Sequence, residues 1–428
     1  MNQIEKLQKE ALEYHEKFPS GKIQISPTKE YGSQKELSLA YSPGVAIPSK
    51  AIAKNLNNVF RYTAKGNLVA VISNGTAVLG LGDIGPDASK PVMEGKGLLF
   101  KIFAGIDVFD IEINERDPEK FVQVVKAISP TFGGINLEDI KAPEAFKIEE
   151  KLKNEIDIPI MHDDQHGTAI ISGAALINSL ELTNRNIKNV KMVINGAGAA
   201  AISCARIYEK LGVQKQNIIM LDSKGVIQSY RKDLTKEKQE FAVDSSIKTL
   251  EEAIKGADIF IGLSIGGALT AKMLLNMSEN PIVFACANPS PEIEYELAVK
   301  TRPDIILATG RSDYPNQVNN VLVFPYLFRG ALDVHAKKIN EAMKLAAIQS
   351  LASLAKESVP EKVKIAYNNK NLYFGKEYII PKPLDPRLMI NVTTAVAKAA
   401  IKSKVARSPI LDWKAYEAQL RKRVNFHK

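Results

Sequence analysis

The chain has 428 residues, 45% of them hydrophobic and 25% charged, which is enough apolar material for the cores of two or three globular domains. The net charge of +9 comes mostly from lysines spread along helix faces, and only the tail "LRKRVNFHK" is densely basic, so nucleic acid is not the expected partner. No apolar run resembles a membrane span or a secretory signal, and Cys204 and Cys286 lie in apolar segments, as reduced core thiols do. We therefore expect a cytoplasmic protein with no membrane partner.

The first 160 residues alternate between helical and strand patterns. The segment "MNQIEKLQKEALEYHEKF" predicts an amphipathic helix, and "LVAVIS" and "TAVLGLG" flank Asn74 and Gly75, a pair that predicts a hairpin turn because both residues tolerate positive φ. The run "PVMEGKGLLFKIF" predicts a helix with Pro91 in its first turn. The strand patterns "DVFDIEI", "TFGGINLEDI" and "IDIPIM" then alternate with helices, which predicts parallel strands with crossover helices.

A second α/β pattern begins near residue 165. After the helix "GTAIISGAALINSLEL" come five short apolar runs, "VKMVIN", "NIIMLD", "DIFIGLS", "IVFACANP" and "DIILATG", which suit a doubly wound sheet. From residue 329 the pattern is mainly helical, starting with "ALDVHAKKINEAMKLAAIQSLASLAKE". We predict an α/β chain with an N-terminal α/β domain over 1–161, a Rossmann-type doubly wound domain over 162–385 and a helical C-terminal extension over 386–428.

The segment "VINGAGAAA" fits the dinucleotide-binding pattern G-x-G-x-x-A between a strand and a helix. Gly196 permits the tight turn, Gly198 lets the backbone approach a pyrophosphate, and Ala201 allows close helix packing. Ala199 stands at the start of the helix, where free N–H groups and the positive end of the helix dipole favour an anion. This context predicts a dinucleotide site.

The next strand ends in "LDSKG", which bears on the choice of cofactor. Asp222 stands where an acid holds the adenosine ribose of NAD. Ser223 and Lys224 follow directly and could instead contact the 2'-phosphate of NADP. The sequence therefore leaves NAD and NADP both open.

The segment "MHDDQHGTA" packs two histidines and two acids into a few positions. His162 and His166 have the i, i+4 spacing of a helical zinc pair, although an aspartate stands where a zinc protease has its glutamate base. Gly167 follows at once, which places the pair in a loop or at a helix start. Zinc, a divalent ion held by oxygen ligands, and a polar loop without function all remain possible at this stage.

Other segments are also rich in reactive or polar side chains, although each separately has an ordinary structural explanation. They are "LAYSPGVA" with Tyr41, "SKPVMEGKG" with Lys90 and Lys96, "INLEDIKAP" with Glu138 and Asp139, "ACANPSPEI" with Asn288, and "YPNQVNNVLVFP" with Asn319 and Asn320.

These motifs, in this order, resemble the malic enzyme family over essentially the whole chain, with the short bacterial form most similar. The resemblance implies that 1–161 is the substrate and catalytic domain and that 162–385 binds NAD or NADP. It also implies Mg²⁺- or Mn²⁺-dependent oxidative decarboxylation of malate to pyruvate and CO₂, with oxaloacetate decarboxylation as a possible side activity. The expected assembly is a homodimer or a larger homo-oligomer, without the C-terminal acyltransferase-like domain of some members.

Carried over by motif, the resemblance implies a role for each polar side chain. The metal ligands would be Glu138, Asp139 and Asp164, the general base Lys96 with Asp163 to position it, and the general acid Tyr41. Three carboxylates are hard oxygen ligands suited to Mg²⁺ or Mn²⁺. A lysine base requires a pKa lowered from about 10.4 towards neutrality, which we expect from burial and an adjacent cation.

Asn288 and Asn320 match positions that bind the substrate carboxylate. In one respect the chain departs from the family, because Thr76 and Ala77 stand where larger members place an arginine that grips malate. Lys90 is a candidate for the missing cation. A malolactic enzyme that releases lactate is the near alternative, and a zinc hydrolase built on "HDDQH" or a nucleotide-sensing module are distant ones.

Overall fold

The computed structural model describes residues 3–78 and 80–425. The chain begins with four helices, namely α1 (Gln3–Glu16), α2 (Gln34–Ala40), α3 (Ala46–Lys54) and α4 (Val59–Tyr62). α1 confirms the helix predicted at the N-terminus. None of the helices in the described part of the chain is long and apolar enough to cross a membrane.

The first sheet has four parallel strands in the order β2-β1-β3-β4. These strands are β1 (Leu68–Ser73), β2 (Asp107–Glu112), β3 (Gly134–Leu137) and β4 (Ile160–His162). The crossover helices between them are α5 (Pro86–Ala104), α6 (Pro118–Ile128) and α7 (Glu144–Glu155). Every residue of β1 is buried, as expected for a central parallel strand covered on both faces. The predicted alternation of strands and crossover helices is confirmed.

The hairpin predicted at Asn74 and Gly75 is wrong. β1 already pairs with β2 on one edge and β3 on the other, so it has no free edge for an antiparallel partner. The chain instead folds back within a compact loop, where the N–H groups of Ile84 and Gly85 both donate to the Gly75 carbonyl. A Cβ on Gly75 would lie 2.0 Å from the Gly85 oxygen, so only glycine fits there.

The position predicted for Pro91 is also wrong, because α5 begins one turn earlier, at Pro86. Pro86 occupies the first helical turn, where a missing N–H is harmless. Pro91 lies inside the helix and cannot donate to the carbonyl four residues before it.

The second sheet has six strands in the order β10-β9-β8-β5-β6-β7. Its parallel strands are β5 (Met192–Asn195), β6 (Ile218–Asp222), β8 (Ile259–Gly262), β9 (Ile282–Ala285) and β10 (Ile306–Thr309). They confirm the five predicted strands and the Rossmann-type doubly wound fold. A short strand, β7 (Gly225–Val226), pairs antiparallel with β6 and was not predicted. The helices of this part are α8 (Asp163–Leu182), α9 (Ala199–Leu211), α10 (Lys236–Gln239), α11 (Leu250–Ala253), α12 (Ala271–Leu275) and α13 (Tyr295–Thr301).

The remaining helices are α14 (Phe324–Asp333), α15 (Glu341–Lys356), α16 (Glu361–Ala366), α17 (Arg387–Lys402) and α18 (Trp413–Asn425). The long helical run predicted after residue 329 is thus two helices, with a break at 334–340. α17 packs against α14 and α15. The domain boundaries at 161/162 and 385/386 remain predictions.

Helix α8 lies between the two sheets and is buried along most of its length. One apolar cluster joins Val71 of β1, Ile170 of α8 and Ile194 of β5. The two sheets therefore share a core, and the amino end of α8 lies against β4 of the first sheet.

Candidate active site

Lys96 of α5 is held between two acids from other parts of the chain. Its Nζ lies 2.7 Å from Asp163 Oδ2 and 2.8 Å from Glu138 Oε1, and its side chain is only 11% exposed. Burial alone would lower the pKa of Lys96, but the carboxylates of Asp163 and Glu138 outweigh burial and raise it. The lowered pKa that a general base requires is therefore not supplied by the protein's own groups.

Three carboxylates converge next to Lys96. Glu138 and Asp139 directly follow β3, and Asp164 is the second residue of α8, which begins directly after the neighbouring strand β4, so the parallel pairing brings them to one edge. One carboxylate oxygen from each lies within 4.8 Å of the others. The Asp139 N–H donates to Asp164 Oδ2 at 2.9 Å, and Asn136 Nδ2 donates to Glu138 Oε2 at 2.8 Å. The backbone and these hydrogen bonds hold the acids together.

This donor set fits a hard divalent cation. The pKa of Glu138 is raised well above its usual range because burial and the neighbouring charges of Asp164, Asp163 and Asp139 outweigh the attraction of Lys96. Such crowding of like charges is relieved when a cation binds between them. Carboxylate oxygens are the ligands that Mg²⁺ and Mn²⁺ prefer.

The zinc alternative has no support from the positions of the two histidines. His166 Nε2 lies 2.9 Å from Glu149 Oε2 and its Nδ1 lies 3.1 Å from Lys344 Nζ, so both ring nitrogens have protein partners. His162 is fully buried, with Nε2 3.5 Å from Asp164 Oδ2. Within residues 3–78 and 80–425, the potential metal cluster contains carboxylates alone. The predicted helix start at this motif is confirmed, since α8 begins at Asp163.

Gly167 allows Asp163 and Asn320 to approach the amino end of α8. A Cβ on Gly167 would lie 2.2 Å from Asp163 Oδ1 and 2.8 Å from Asn320 Cγ, so any larger residue would displace one of them. Asn320 Nδ2 lies 3.4 Å from the Asp163 carbonyl oxygen, and Asn320 Oδ1 accepts a hydrogen bond from Thr168 at 3.1 Å. The structure thus places Asn320 beside the residue that contacts Lys96.

Two predicted site residues lie outside this cluster. Tyr41 is 78% exposed, and its backbone forms hydrogen bonds with Leu37 and Val45. Over the described ranges, no hydrogen bond or ring contact joins Tyr41 to Lys96. Asn288 is exposed in the loop after β9, where its amide lies 3.4 Å from the Cys286 carbonyl oxygen.

Lys90 does not reach the carboxylate cluster either. Its Nζ lies 2.5 Å from Asp110 Oδ2 and within 4 Å of Glu94 and Glu112. The Lys90 ammonium is therefore paired with acids of α5 and β2, which argues against Lys90 as the cation that binds the substrate carboxylate. Thr76, at the position of the family arginine, accepts a hydrogen bond from the Lys141 N–H at 3.0 Å, so it supports the loop that carries Asp139.

A cavity of about 570 Å³ lies at the carboxyl ends of β5, β6 and β8. This is where strand order reverses in a doubly wound sheet and where dinucleotides bind. Gly196 has φ +122°, and a Cβ there would lie 2.3 Å from the Leu263 oxygen, whereas a Cβ on Gly198 would meet no atom within 4 Å. α9 begins at Ala199 with no side-chain cap from Gly198, so its first N–H groups face an open turn. The cavity fits a bound pyrophosphate.

Asp222 and Ser223 line this cavity, together with Lys238, which the sequence analysis missed. Both oxygens of Asp222 contact cations, because Arg231 binds them in a bidentate pair at 2.9 and 2.8 Å and Lys238 Nζ lies 2.8 Å from Oδ2. Burial would raise the pKa of Asp222, but these hydrogen bonds outweigh burial and lower it to about 2. No local pattern marked Arg231 or Lys238, because they follow Asp222 by 9 and 16 residues in irregular chain and a short helix.

Comparisons with known proteins agree with this architecture. Residues 20–153 match the family model "Malic enzyme, N-terminal domain", and residues 165–368 match "Malic enzyme, NAD binding domain". An NADP-dependent malic enzyme of Salmonella typhimurium is 59% identical over 96% of this chain, which spans only 54% of that relative's length. An NADP-dependent malic enzyme of Halomonas elongata is 54% identical, with 93% of this chain and 94% of the relative covered. The crystal structure of malic enzyme from Pyrococcus horikoshii superposes with a TM-score of 0.89 at 41% identity, covering 98% of this chain and 96% of that one.

Proposed function

The chain belongs to the malic enzyme family, and from this premise we propose that it oxidises malate and removes CO₂ from the product. In this reaction a hydride passes from malate C2 to NADP or NAD, and the products are pyruvate, CO₂ and the reduced cofactor. The chain spans about half the length of several of its curated relatives, so this proposal concerns the part that we describe.

One observation carries the proposal, namely that a buried lysine adjoins three convergent carboxylates beside a dinucleotide cavity. Lys96 contacts Glu138 directly. The same loop that carries Glu138 and Asp139 continues to Ala142 and Pro143, which line the cavity. One loop therefore adjoins the proposed proton acceptor, the oxygen ligands and the cavity proposed for the dinucleotide.

We assign the first proton transfer to Lys96. A neutral Lys96 amine would accept the C2 hydroxyl proton of malate, and the dinucleotide, when bound, would supply the acceptor for the C2 hydride. Asp163 and Glu138 contact the Lys96 Nζ and fix its position. The proposed ligands of the cation are Glu138, Asp139 and Asp164. A Mg²⁺ or Mn²⁺ ion held by these residues would supply positive charge that offsets the carboxylates, and it would supply the Lewis-acid polarisation that favours ketone formation and loss of CO₂.

The remaining roles rest more on sequence motifs than on contacts. The assignment of Tyr41 as the acid that protonates C3 of enolpyruvate is supported by "YSPGVA" alone, since the side chain is exposed. Asn320 has stronger support as a ligand of the substrate carboxylate, because it lies beside Asp163 and its amide can donate. Asn288 and a homodimeric or larger assembly remain predictions.

The test is a steady-state assay with malate, Mn²⁺ and either NADP or NAD. The expected result is equal formation of reduced cofactor and pyruvate, lost when the metal is chelated. A malolactic enzyme would form lactate without accumulating reduced cofactor, and a zinc hydrolase would need no nucleotide. Absence of malate-dependent cofactor reduction with both nucleotides, in a chain that binds Mn²⁺, would refute the proposal.

A further inference from the structure

The loop of residues 310–319, which leads from β10 to Asn320, is fastened to the end of that strand. The Thr309 N–H donates to the Asn316 carbonyl oxygen at 3.0 Å, and the Val318 N–H donates to the Thr309 carbonyl oxygen at 2.8 Å. These two backbone hydrogen bonds pair the loop with the last residue of a buried strand. The backbone that enters Asn320 is therefore held against the sheet.

The Asn316 side chain joins this loop to a second segment of the chain, residues 376–382. Asn316 is only 1% exposed. Its Nδ2 donates to the Leu307 carbonyl oxygen at 2.9 Å and to the Lys376 carbonyl oxygen at 2.7 Å, and its Oδ1 accepts from the Ile379 N–H at 3.0 Å. A primary amide has two N–H donors and one oxygen acceptor. Asn316 uses both donors and its oxygen, so no other residue type of this size makes the same set of bonds.

The 376–382 segment has two further contacts with the parts of the chain that carry the site. The buried Lys382 ammonium donates to the Pro315 carbonyl oxygen in the 310–319 loop. The Ile379 carbonyl oxygen accepts from Asn178 Nδ2 of α8 at 2.8 Å. The segment therefore binds both the loop that leads to the proposed substrate ligand and the helix that begins with the two aspartates of the site.

We propose that Asn316 and Lys382 are positioning residues for malate binding and that they act through Asn320. Their hydrogen bonds hold the backbone of the loop directly before Asn320, whose amide lies 3.4 Å from the Asp163 carbonyl oxygen. Loss of either tether would let the Asn320 amide move away from the place where the substrate carboxylate binds. The inference rests on the proposed function, because it requires Asn320 to bind a carboxylate of malate.

The experiment measures the KM for malate with Mn²⁺ and cofactor at saturation. Asn316→Ala should raise KM by about tenfold or more, as for loss of one hydrogen bond to a charged group, and leave kcat within about threefold. Asn320→Ala should do the same. The double variant should have the KM of Asn320→Ala alone, because Asn316 acts through that residue, whereas a merely structural role would give effects that multiply.

The matched control is Asn340→Ala, which also removes a hydrogen-bonded amide. Asn340 caps α15 by accepting from the Met343 N–H at 3.1 Å and donates to Ser403 Oγ at 2.8 Å. Its replacement should lower the melting temperature and leave the KM for malate unchanged.

Lys382→Met is the second variant, because it removes the ammonium that binds the Pro315 carbonyl oxygen and keeps a side chain of similar length. It should raise the KM for malate as well, and it decides the question if Asn316→Ala does not fold. An unchanged KM in either folded variant, or effects that multiply in a double variant with Asn320→Ala, would overturn the inference. If the wild type does not oxidise malate, the proposed function fails and the inference fails with it. If the wild type oxidises malate and the variants keep its KM, only the inference fails.

Discussion

Lys96 of α5 and Asp163 of α8 form an ion pair, with 2.7 Å between Nζ and Oδ2, although they lie 67 positions apart in sequence. Lys96 belongs to a helix of the first sheet layer, and Asp163 is the first residue of the helix that enters the second. Because Asp163 directly follows β4 of the first sheet, the parallel strands of that sheet help to bring the proposed base and its positioning acid together.

Replacement of Lys96 by arginine tests its proposed role as a base separately from its role in ion pairs. Lys96→Arg keeps the positive charge next to Asp163 and Glu138, but a guanidinium does not give up its proton, so it cannot act as a base. We expect Lys96→Arg to keep most of the stability of the wild type and to lose about 10²- to 10⁴-fold in kcat for malate oxidation. Malate-dependent cofactor reduction and a thermal melt of the same sample test both parts. Wild-type kcat in Lys96→Arg would remove Lys96 from the role of base.

Neutral replacements of the clustered acids test the proposed metal site. Glu138→Gln and Asp164→Asn exchange a charged oxygen ligand for an amide, so each should weaken Mn²⁺ by about tenfold or more. Free Mn²⁺ measured by electron paramagnetic resonance during a titration gives the affinity without any assay of turnover. Glu150→Gln, an exposed acid of α7, serves as the control and should bind Mn²⁺ like the wild type. Unchanged affinity in both site variants would exclude these ligands.

The proposed role of Tyr41 has the least structural support and needs its own test. Tyr41→Phe removes only the phenolic proton, so it should slow protonation of enolpyruvate at C3 and spare reduction of oxaloacetate. Exchange of solvent protons into pyruvate at C3, followed by nuclear magnetic resonance, should collapse in this variant. Because the side chain is 78% exposed, the melting temperature should stay the same. Exchange at the wild-type rate would show that another group is the acid.

The buried His166 predicts a loss of stability in acid. Burial lowers its pKa to about 4, with Lys344 and Lys153 acting in the same direction against Glu149. Unfolding raises the pKa to about 6.5, so the unfolded chain binds the extra proton first. The stabilising contribution is complete above about pH 6.5 and is lost as pH falls towards about 4. Urea unfolding at pH 7.5 and pH 5 should show a smaller loss in His166→Gln than in the wild type. Equal losses would contradict the prediction.

Local pattern was sufficient for most of the fold because buried parallel strands are short, continuous apolar runs. The runs "VKMVIN" and "NIIMLD" correspond to β5 and β6. Acids that directly follow a strand lie at its carboxyl end, so their place at the edge of the sheet could be predicted. The predicted hairpin was wrong because strand pairing depends on which strands have a free edge in the sheet. The pattern at Asn74 and Gly75 did not reveal that β1 lies between two other strands.

Contacts between residues that are far apart in sequence could not be predicted from the sequence. Glu149 contacts His166 from 17 positions away in sequence, and Arg231 and Lys238 contact the carboxylate of Asp222. Each contact joins a helix or loop to a separate element. Neither spacing nor periodicity encodes such pairs, because they depend on how the layers pack.

Helix α8 has 20 residues and is therefore about 30 Å long. Its amino end carries Asp163 and Asp164, and further along Asn178 donates to the carbonyl oxygens of Ala352 and Ile379. A buried helix of this length behaves as a stiff rod. Replacement of Asn178 would remove the two hydrogen bonds that anchor this part of the helix, so a position outside the site can influence the placement of Asp163 and Asp164.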